Sequence, residues 1–323
     1  MSRILYIAPD VDQPRGGVDV LYEHVAALRE RGFEAFIVHS SPGFRYRFAR
    51  REVPVLDASS SFYVQPSDTL VVPEDYPGAI KKCRDISCRK VLFCQSHFQV
   101  FQGIAPGESW ADYGFSAYLC VSAPIQQALK KWFGVDATVI RPYLDACYFH
   151  EGLRPIHPPI RVACMPRRGA ANLRLVQGLL AASRPTGAAS LSWLEIDGLP
   201  KQQVSARLRE AHVYLSTGAR EGLGLPPLEA MAAGCLVVGF TGGGGRDYAS
   251  PDNGVWVEDE NPWALAEALQ QAVAALADPS ARALLDAKRA ASQITASTYN
   301  RARFERDLMA FWTARLAAGG SSA

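Results

Sequence analysis

Short runs of apolar residues alternate along this chain with stretches in which apolar positions recur every three or four residues. The runs Ile4 to Ala8, Ala35 to His39, Thr69 to Pro73, Val91 to Gln95, Tyr118 to Ser122 and Thr138 to Ile140 have the length and near-continuous hydrophobicity of strands covered on both faces. A second series follows at Ile160 to Met165, Leu191 to Ile196, Val213 to Thr217, Leu236 to Phe240 and Val255 to Val257. Between the runs the period becomes helical. Leu21, Val25 and Leu28 follow the first strand, and Ile125, Leu129 and Trp132 follow Ser122 at an N-cap position. Val204, Leu208 and Ala211 keep the same spacing, as do Leu265, Leu269, Val273 and Leu276 behind an Asn261-Pro262 cap. Alternation of this kind predicts an α/β fold with parallel sheets. Arg154 to Pro159, with three prolines in six residues, reads as a linker. The expected organisation is a first α/β domain over 1–153, a second over 160–295, and a last helix over 296–318 with Phe304, Leu308, Phe311, Trp312 and Leu316 on one face. Gly319 to Ala323 reads as a frayed tail.

Composition narrows the picture. A chain of 323 residues has room for two domains of roughly 100 to 200 residues each. Hydrophobic residues at 48% and charged residues at 20% are ordinary for a globular protein, and a net charge of +2 supplies no global field for nucleic acid. The opening M-S-R-I-L-Y-I-A-P-D has no signal-peptide core, and no run approaches the ~18 apolar residues of a membrane span. A cytoplasmic protein is expected. The apolar face of the last helix leaves open a dimer or a peripheral contact with the inner face of a membrane. Seven cysteines, an odd number without a C-x-x-C pair, read as reduced thiols rather than a metal site or disulfide framework.

The chemistry concentrates in Val213 to Asp247, V-Y-L-S-T-G-A-R-E-G-L-G-L-P-P-L-E-A-M-A-A-G-C-L-V-V-G-F-T-G-G-G-G-R-D. The pattern reads as strand, glycine turn, short helix over Leu228 to Ala233 ended by Gly234, and strand. Gly222 and Gly224 permit a tight turn, and Pro226 and Pro227 suit a first helical turn, so the amides from Gly222 to Leu225 are available to a phosphate. Glu221 and Glu229 bracket this turn. Spacing alone also allows a solvated Glu221 and a Glu229 that only complements the helix dipole. At another strand end, Pro166-Arg167-Arg168-Gly169 offers guanidinium groups to a diphosphate. In the first half, Gly16-Gly17 at a helix entrance allows close approach of a ligand, or simply a turn. His97 follows a strand end, where open α/β sheets bind ligands, although a lone histidine is more often structural. In Gly43 to Arg51 aromatics alternate with arginines. This reads as a two-faced edge strand, with an anionic-acceptor or single-stranded nucleic-acid site as the other readings.

The string E-G-x-G-L-P-x-L-E-A-M-A-x-G, at Glu221 to Gly234, resembles the signature of the retaining glycosyltransferases of family 4, and the M-P-R stretch resembles a short bacterial branch of it. The resemblance is strong over 215–247, moderate over 118–149 and weak elsewhere. It implies a GT-B fold, in which two Rossmann-like domains face across a cleft and the last helix crosses back to the N-terminal domain. It also implies transfer of a sugar from a nucleotide-sugar donor to a glycan or lipid-linked acceptor hydroxyl, in polysaccharide or glycoconjugate assembly. Glu229 would then bind the donor ribose and Glu221 the hydroxyls of the moving sugar. His97 would stand beside that sugar, and Gly16 and Gly17 would contact donor or acceptor. Gly222, Gly224 and Leu225 would serve the donor phosphates. The family's usual Arg/Lys pair is altered, so Arg167, Arg168 or Arg174 would replace it, and Asp247 stands where a glutamate is usual. No cofactor is expected. No metal is expected either, on the premise that no Asp-x-Asp pair serves one and that arginines and helix N-termini steady the leaving diphosphate. An epimerase or phosphorylase on the same fold, a non-catalytic nucleotide-sugar binder and a nucleic-acid-directed transferase remain as alternatives, the last disfavoured by the charge.

Overall fold

The computed structural model describes residues 2–58, 63–183 and 190–319. The chain divides into two compact units, one formed by 1–142 with 302–323 and the other by 143–301.

In chain order the first unit contains β1 (Ile4–Ile7), α1 (Gly16–Glu30), β2 (Ala35–His39), β3 (Val55–Asp57), β4 (Thr69–Pro73), α2 (Pro77–Cys83), β5 (Arg89–Cys94), α3 (Val100–Gly103), β6 (Ala117–Cys120), α4 (Ala123–Phe133) and β7 (Ala137–Val139). Its strands form one parallel sheet in the order β3-β2-β1-β4-β5-β6-β7. The central strands are buried almost throughout, as their unbroken apolar runs require.

The second unit contains β8 (Ile160–Cys164), α5 (Ala170–Ser183), β9 (Leu191–Glu195), α6 (Lys201–Glu210), β10 (Val213–Ser216), α7 (Leu225–Ala232), β11 (Leu236–Phe240), β12 (Val255–Val257), α8 (Pro262–Ala277) and α9 (Ala283–Ser297). Its sheet, ordered β12-β11-β10-β8-β9, is also parallel. The core of this unit joins Val162, Val213, Leu215, Val238 and Phe240 of the sheet to Leu265, Leu269, Val273 and Leu276 of α8. The proline-rich stretch expected as a linker belongs to this unit. Ile156 is buried in its core, and the Arg154 guanidinium donates to the carbonyl of Ala211 at 2.8 Å.

The last helix, α10 (Arg301–Gly319), packs within the first unit. Trp312, fully buried, donates its Nε1–H to the Tyr6 hydroxyl at 3.2 Å, and that hydroxyl lies 3.1 Å from His24 Nδ1. Phe304 stacks on the other side of His24, at 5.2 Å between ring centres. Burial holds His24 down to a pKa of about 3, so a neutral imidazole takes the tyrosine proton.

The alternating Gly43 to Arg51 segment is a loop rather than an edge strand. Its arginines have acidic partners that the local pattern does not reveal. Arg47 binds Asp12 with both oxygens at 2.7 Å, Arg45 reaches Asp57 at 3.3 Å, and Arg51 holds Glu23 at 2.9 Å and also Glu30. Tyr46 is buried, and its hydroxyl accepts the Arg15 N–H at 2.9 Å. All seven cysteines are free thiols.

Candidate active site

In an open parallel sheet the ligand crevice lies at the carboxyl ends of the strands, where the strand order reverses. In the second unit that point falls between β8 and β10, because β8 is followed in the chain by β9 on one side and β10 lies on the other. The loops leaving β8 and β10 carry Arg167 and Glu221.

Glycine holds these two loops together. Gly169 has φ +128, and a Cβ there would sit 2.2 Å from the Thr217 carbonyl oxygen, so only glycine lets the Pro166–Arg168 turn lie against the exit of β10. Asn172 of α5 donates to the same carbonyl at 3.2 Å. Arg167 is exposed on this turn. The Arg168 side chain lies outside the described residues.

The loop from β10 then meets the loop from β11. Glu221 N–H donates to Gly242 O at 2.7 Å, Gly244 N–H donates to Glu221 O at 3.0 Å, and Glu221 pairs with Gly243 in an isolated parallel bridge. A Cβ on Gly244 would lie 2.3 Å from the Gly222 carbonyl carbon and oxygen. The four-glycine run therefore lets two backbones interleave. Its N–H groups are consumed internally: Gly242 and Gly243 give theirs to Asp259, Gly244 to Glu221 O and Gly242 O, and Gly245 to Thr241 O.

The helix after Glu221 begins earlier than its formers suggest. Gly224, at φ +82, is the N-cap, its carbonyl accepts the Tyr248 hydroxyl at 2.8 Å, and Leu225 opens α7, with Pro226 and Pro227 in the first turn. By helix geometry the first-turn amides have no intrahelical acceptor. Glu229 consequently stands in the second turn rather than the first, where the helix dipole no longer explains it. Gly234 closes α7 in a Schellman motif: Gly234 N–H bonds Met231 O at 3.0 Å and Cys235 N–H bonds Ala230 O at 2.9 Å. Glu221 and Glu229 are both half-buried. Asp247 accepts a hydrogen bond from the Tyr299 hydroxyl at 2.6 Å.

The reversal in the first unit falls between β1 and β4. Gly16 and Gly17 form the first residues of α1 after the β1 loop, and Gly17 O accepts from the Gln95 side chain at 3.1 Å. His97 lies two residues beyond Gln95, half-buried, with its ring 4.1 Å from that of Phe98. Between them stands Glu74, which the sequence did not single out. It is 1% exposed, its Oε1 accepts the Ser96 N–H at 2.6 Å, and burial together with the Asp75 charge pushes its pKa up to about 8. The structure therefore gathers Arg167, Glu221, Gly222, Gly224, Leu225 and Glu229 on the second unit. It gathers Gly16, Gly17 and His97 with Glu74 on the first. Asp259 and Tyr248, which organise the glycine turn, are further residues without a sequence signal.

An Asp-x-Asp pair does occur, at Asp10-Val11-Asp12, which corrects the premise that the chain offers none. Its carboxylates are engaged in the first unit: Asp10 with His39 and Ser40, Asp12 with Arg47.

Residues 196–287, which hold the Glu221 loop, α7 and the glycine turn, match the family model described as glycosyl transferases group 1. With two parallel sheets of the GT-B kind, this makes the chain an enzyme of the glycosyltransferase class. Among known proteins it is similar to an alpha-1,6-glucosyltransferase of Actinobacillus pleuropneumoniae serotype 7 (strain AP76), 28% identical over 236 residues that cover 70% of this chain and 69% of the other. Its fold is similar to that of a glycosyltransferase from Rickettsia africae, at a TM-score of 0.70 and 14% identity over 98% of each chain. It is also similar to Anabaena HepE, solved in complex with UDP, at 0.69 and 14% over 97% of this chain and 100% of that one.

Proposed function

We propose that the protein transfers a sugar from a nucleotide-sugar donor to an acceptor hydroxyl with retention at the anomeric carbon. The observation that carries this reading is the locked pair of strand-end loops, which hold Glu221 beside the N-terminus of α7 at the switch point of the second sheet, inside the matched segment. Open first-turn amides and the Arg167 turn suit a diphosphate, and Glu229 in the second turn suits a ribose. Glu221 then meets the hydroxyls of the sugar that moves. In the reaction the acceptor oxygen bonds to the anomeric carbon, the bond from that carbon to the diphosphate breaks, and the acceptor proton leaves with the diphosphate. The cationic turn and the helix N-terminus stabilise the charge that develops on the leaving group, the role a divalent ion would otherwise fill. UDP is the first nucleotide to try, since two of the similar structures, HepE and the teichoic-acid-type enzyme TarM, were solved with it. We assign the acceptor, a glycan or lipid-linked hydroxyl of bacterial polysaccharide assembly, to the strand ends of the first unit around His97 and Glu74. The nucleic-acid reading loses its support, because the arginines Arg45, Arg47 and Arg51 are bound to carboxylates.

A panel of nucleotide sugars read by thermal shift, followed by diphosphate release with and without acceptor in EDTA, tests the proposal. Release that requires acceptor and survives EDTA is expected. Activity that needs added Mg²⁺ would overturn the leaving-group assignment, and release without any acceptor would overturn the transferase. Glu229→Gln should raise KM for the donor roughly 10- to 150-fold, the equivalent of about 1.5 to 3 kcal/mol. Glu221→Gln should lower kcat and leave diphosphate affinity nearly unchanged. Equal loss of diphosphate affinity in both variants would refute the two roles.

A further inference from the structure

The corner between β12 and α8 carries a carboxylate that the reaction as described does not use. Asp259 is mostly buried, with 16% of its side chain exposed. It accepts the N–H of Gly242 at 2.9 Å, the N–H of Gly243 at 3.1 Å and the hydroxyl of Thr241 at 3.1 Å, and it faces the Arg246 guanidinium at 3.4 Å. One side chain thus gathers the first three residues of the glycine turn. That turn holds Glu221 in place, because Gly242 O accepts the Glu221 N–H and Gly244 N–H returns to Glu221 O.

Two further observations point the same way. Glu260, next to Asp259, has φ +66, the one positive φ outside glycine among the described residues. A left-handed residue at the end of a strand costs free energy, and such strain persists where the surroundings fix it. Here it turns the chain so that Asp259 points back over the sheet toward β11. The Glu260 side chain itself pairs with Arg220, the neighbour of Glu221, at 3.3 Å. The corner therefore grips the Glu221 loop at two places, through the glycine turn and through Arg220. The turn is also too short of free amides to serve a phosphate, since its N–H groups are spent inside the protein.

We infer that Asp259 is a positioning residue for Glu221: it fixes the glycine turn whose carbonyl and amide clamp the Glu221 backbone, and so sets where the Glu221 carboxylate stands before substrate arrives. Asp259 touches no reacting atom in this scheme. It acts through another residue, and a displacement of about 1 Å at such a distance is enough to cost two orders of magnitude in rate. The inference rests on the transferase reading only for its kinetic consequence. Its structural consequence, loss of the Glu221 clamp, stands by itself.

The experiment compares Asp259→Ala, Asp259→Asn and the double variant with Glu221→Gln, in the full-length protein. Backbone hydrogen exchange is the readout that needs no activity. In Asp259→Ala the amides of Glu221 and Gly244 should exchange at least about tenfold faster, while those of Val213 to Ser216 keep wild-type protection. In the transfer assay kcat should fall about 10- to 100-fold with diphosphate affinity unchanged. Asp259→Asn, which keeps one acceptor oxygen, should recover part of the rate. The double variant should be no slower than Glu221→Gln alone, because a residue acting through Glu221 has nothing left to act on. Unchanged exchange at Glu221, or additive losses in the double variant, would overturn the inference. Equal acceleration of exchange across the whole unit would reduce Asp259 to a general stabilising residue and overturn it as well. A wild-type protein that releases no diphosphate from any donor would strike the transferase reading instead, and the exchange data would still decide the clamp.

Discussion

Glu74 shows how a single side chain ties stability to pH. Its carboxyl keeps its proton up to about pH 8 in the folded chain, whereas an ordinary glutamate loses it near 4.5. Between those values the folded state holds a proton that the unfolded state has lost, so stability declines as pH rises through this window and the decline is complete above it. The slope is at most about 1.4 kcal/mol per pH unit. The groups facing the carboxyl are Asp75 on its own strand end and the buried thiol of Cys94 on β5, with Cys120 of β6 beside Cys94 and Arg15 facing Asp75. Glu74→Gln removes the titration while keeping an oxygen for the Ser96 N–H. The variant's melting temperature should vary less between pH 5 and 8 than that of the wild type, and the variant should gain on the wild type toward pH 8. Parallel curves would mean that Glu74 ionises normally. Neither Glu74 nor Asp259 was legible in the sequence, for different reasons. Glu74 follows a strand as any acidic residue might, and only the strand order reveals that this strand borders the switch point. Asp259 sits in Glu258-Asp259-Glu260, three adjacent carboxylates of which the fold selects the middle one.

At the scale of elements the sequence was most readable where burial was complete. Fully covered strands such as β4 and β11 appear as unbroken apolar runs, and their limits were found to the residue. β3 was missed because it is three residues long, half-buried and ends in Asp57. The arginine-aromatic loop was misread because its partners Asp12, Glu23 and Asp57 come from other parts of the chain, where periodicity carries no information. α7 began three residues early because Gly224, free to take φ +82, turned the chain into the helix before the strong formers were reached. Glycines in this region do two kinds of work, which substitution can separate. Gly244→Ala would push a Cβ to 2.3 Å from Gly222, forcing the loops apart at a cost of about 1 to 3 kcal/mol and abolishing most of the transfer rate. Gly234→Ala, at φ +77 in the helix cap, should cost about 1 to 2 kcal/mol and leave the rate near wild type. Melting temperatures and kcat measured on both variants check the distinction. An active Gly244→Ala protein would show that the interleaved backbones are not needed for chemistry.

At the scale of the whole molecule, the two units have separate sheets and separate cores, while the first unit draws its last helix from the far end of the chain. Trp312→Ala would remove a fully buried indole and its bond to Tyr6, at about 3 to 5 kcal/mol. Hydrogen exchange should then show lost protection in β1 and α1, with β10 and β11 protected as before. Loss of protection in both units together would mean that they unfold as one. The same connectivity orders events during synthesis. Residues 302–319 are made only after all of 143–301, so the growing chain completes the second unit while the first still exposes the apolar bed around Tyr6, His24 and Phe93. The nascent protein must therefore keep that bed from its neighbours for as long as the ribosome takes to translate the second unit, and a stall anywhere within it would release a chain whose earlier half cannot close.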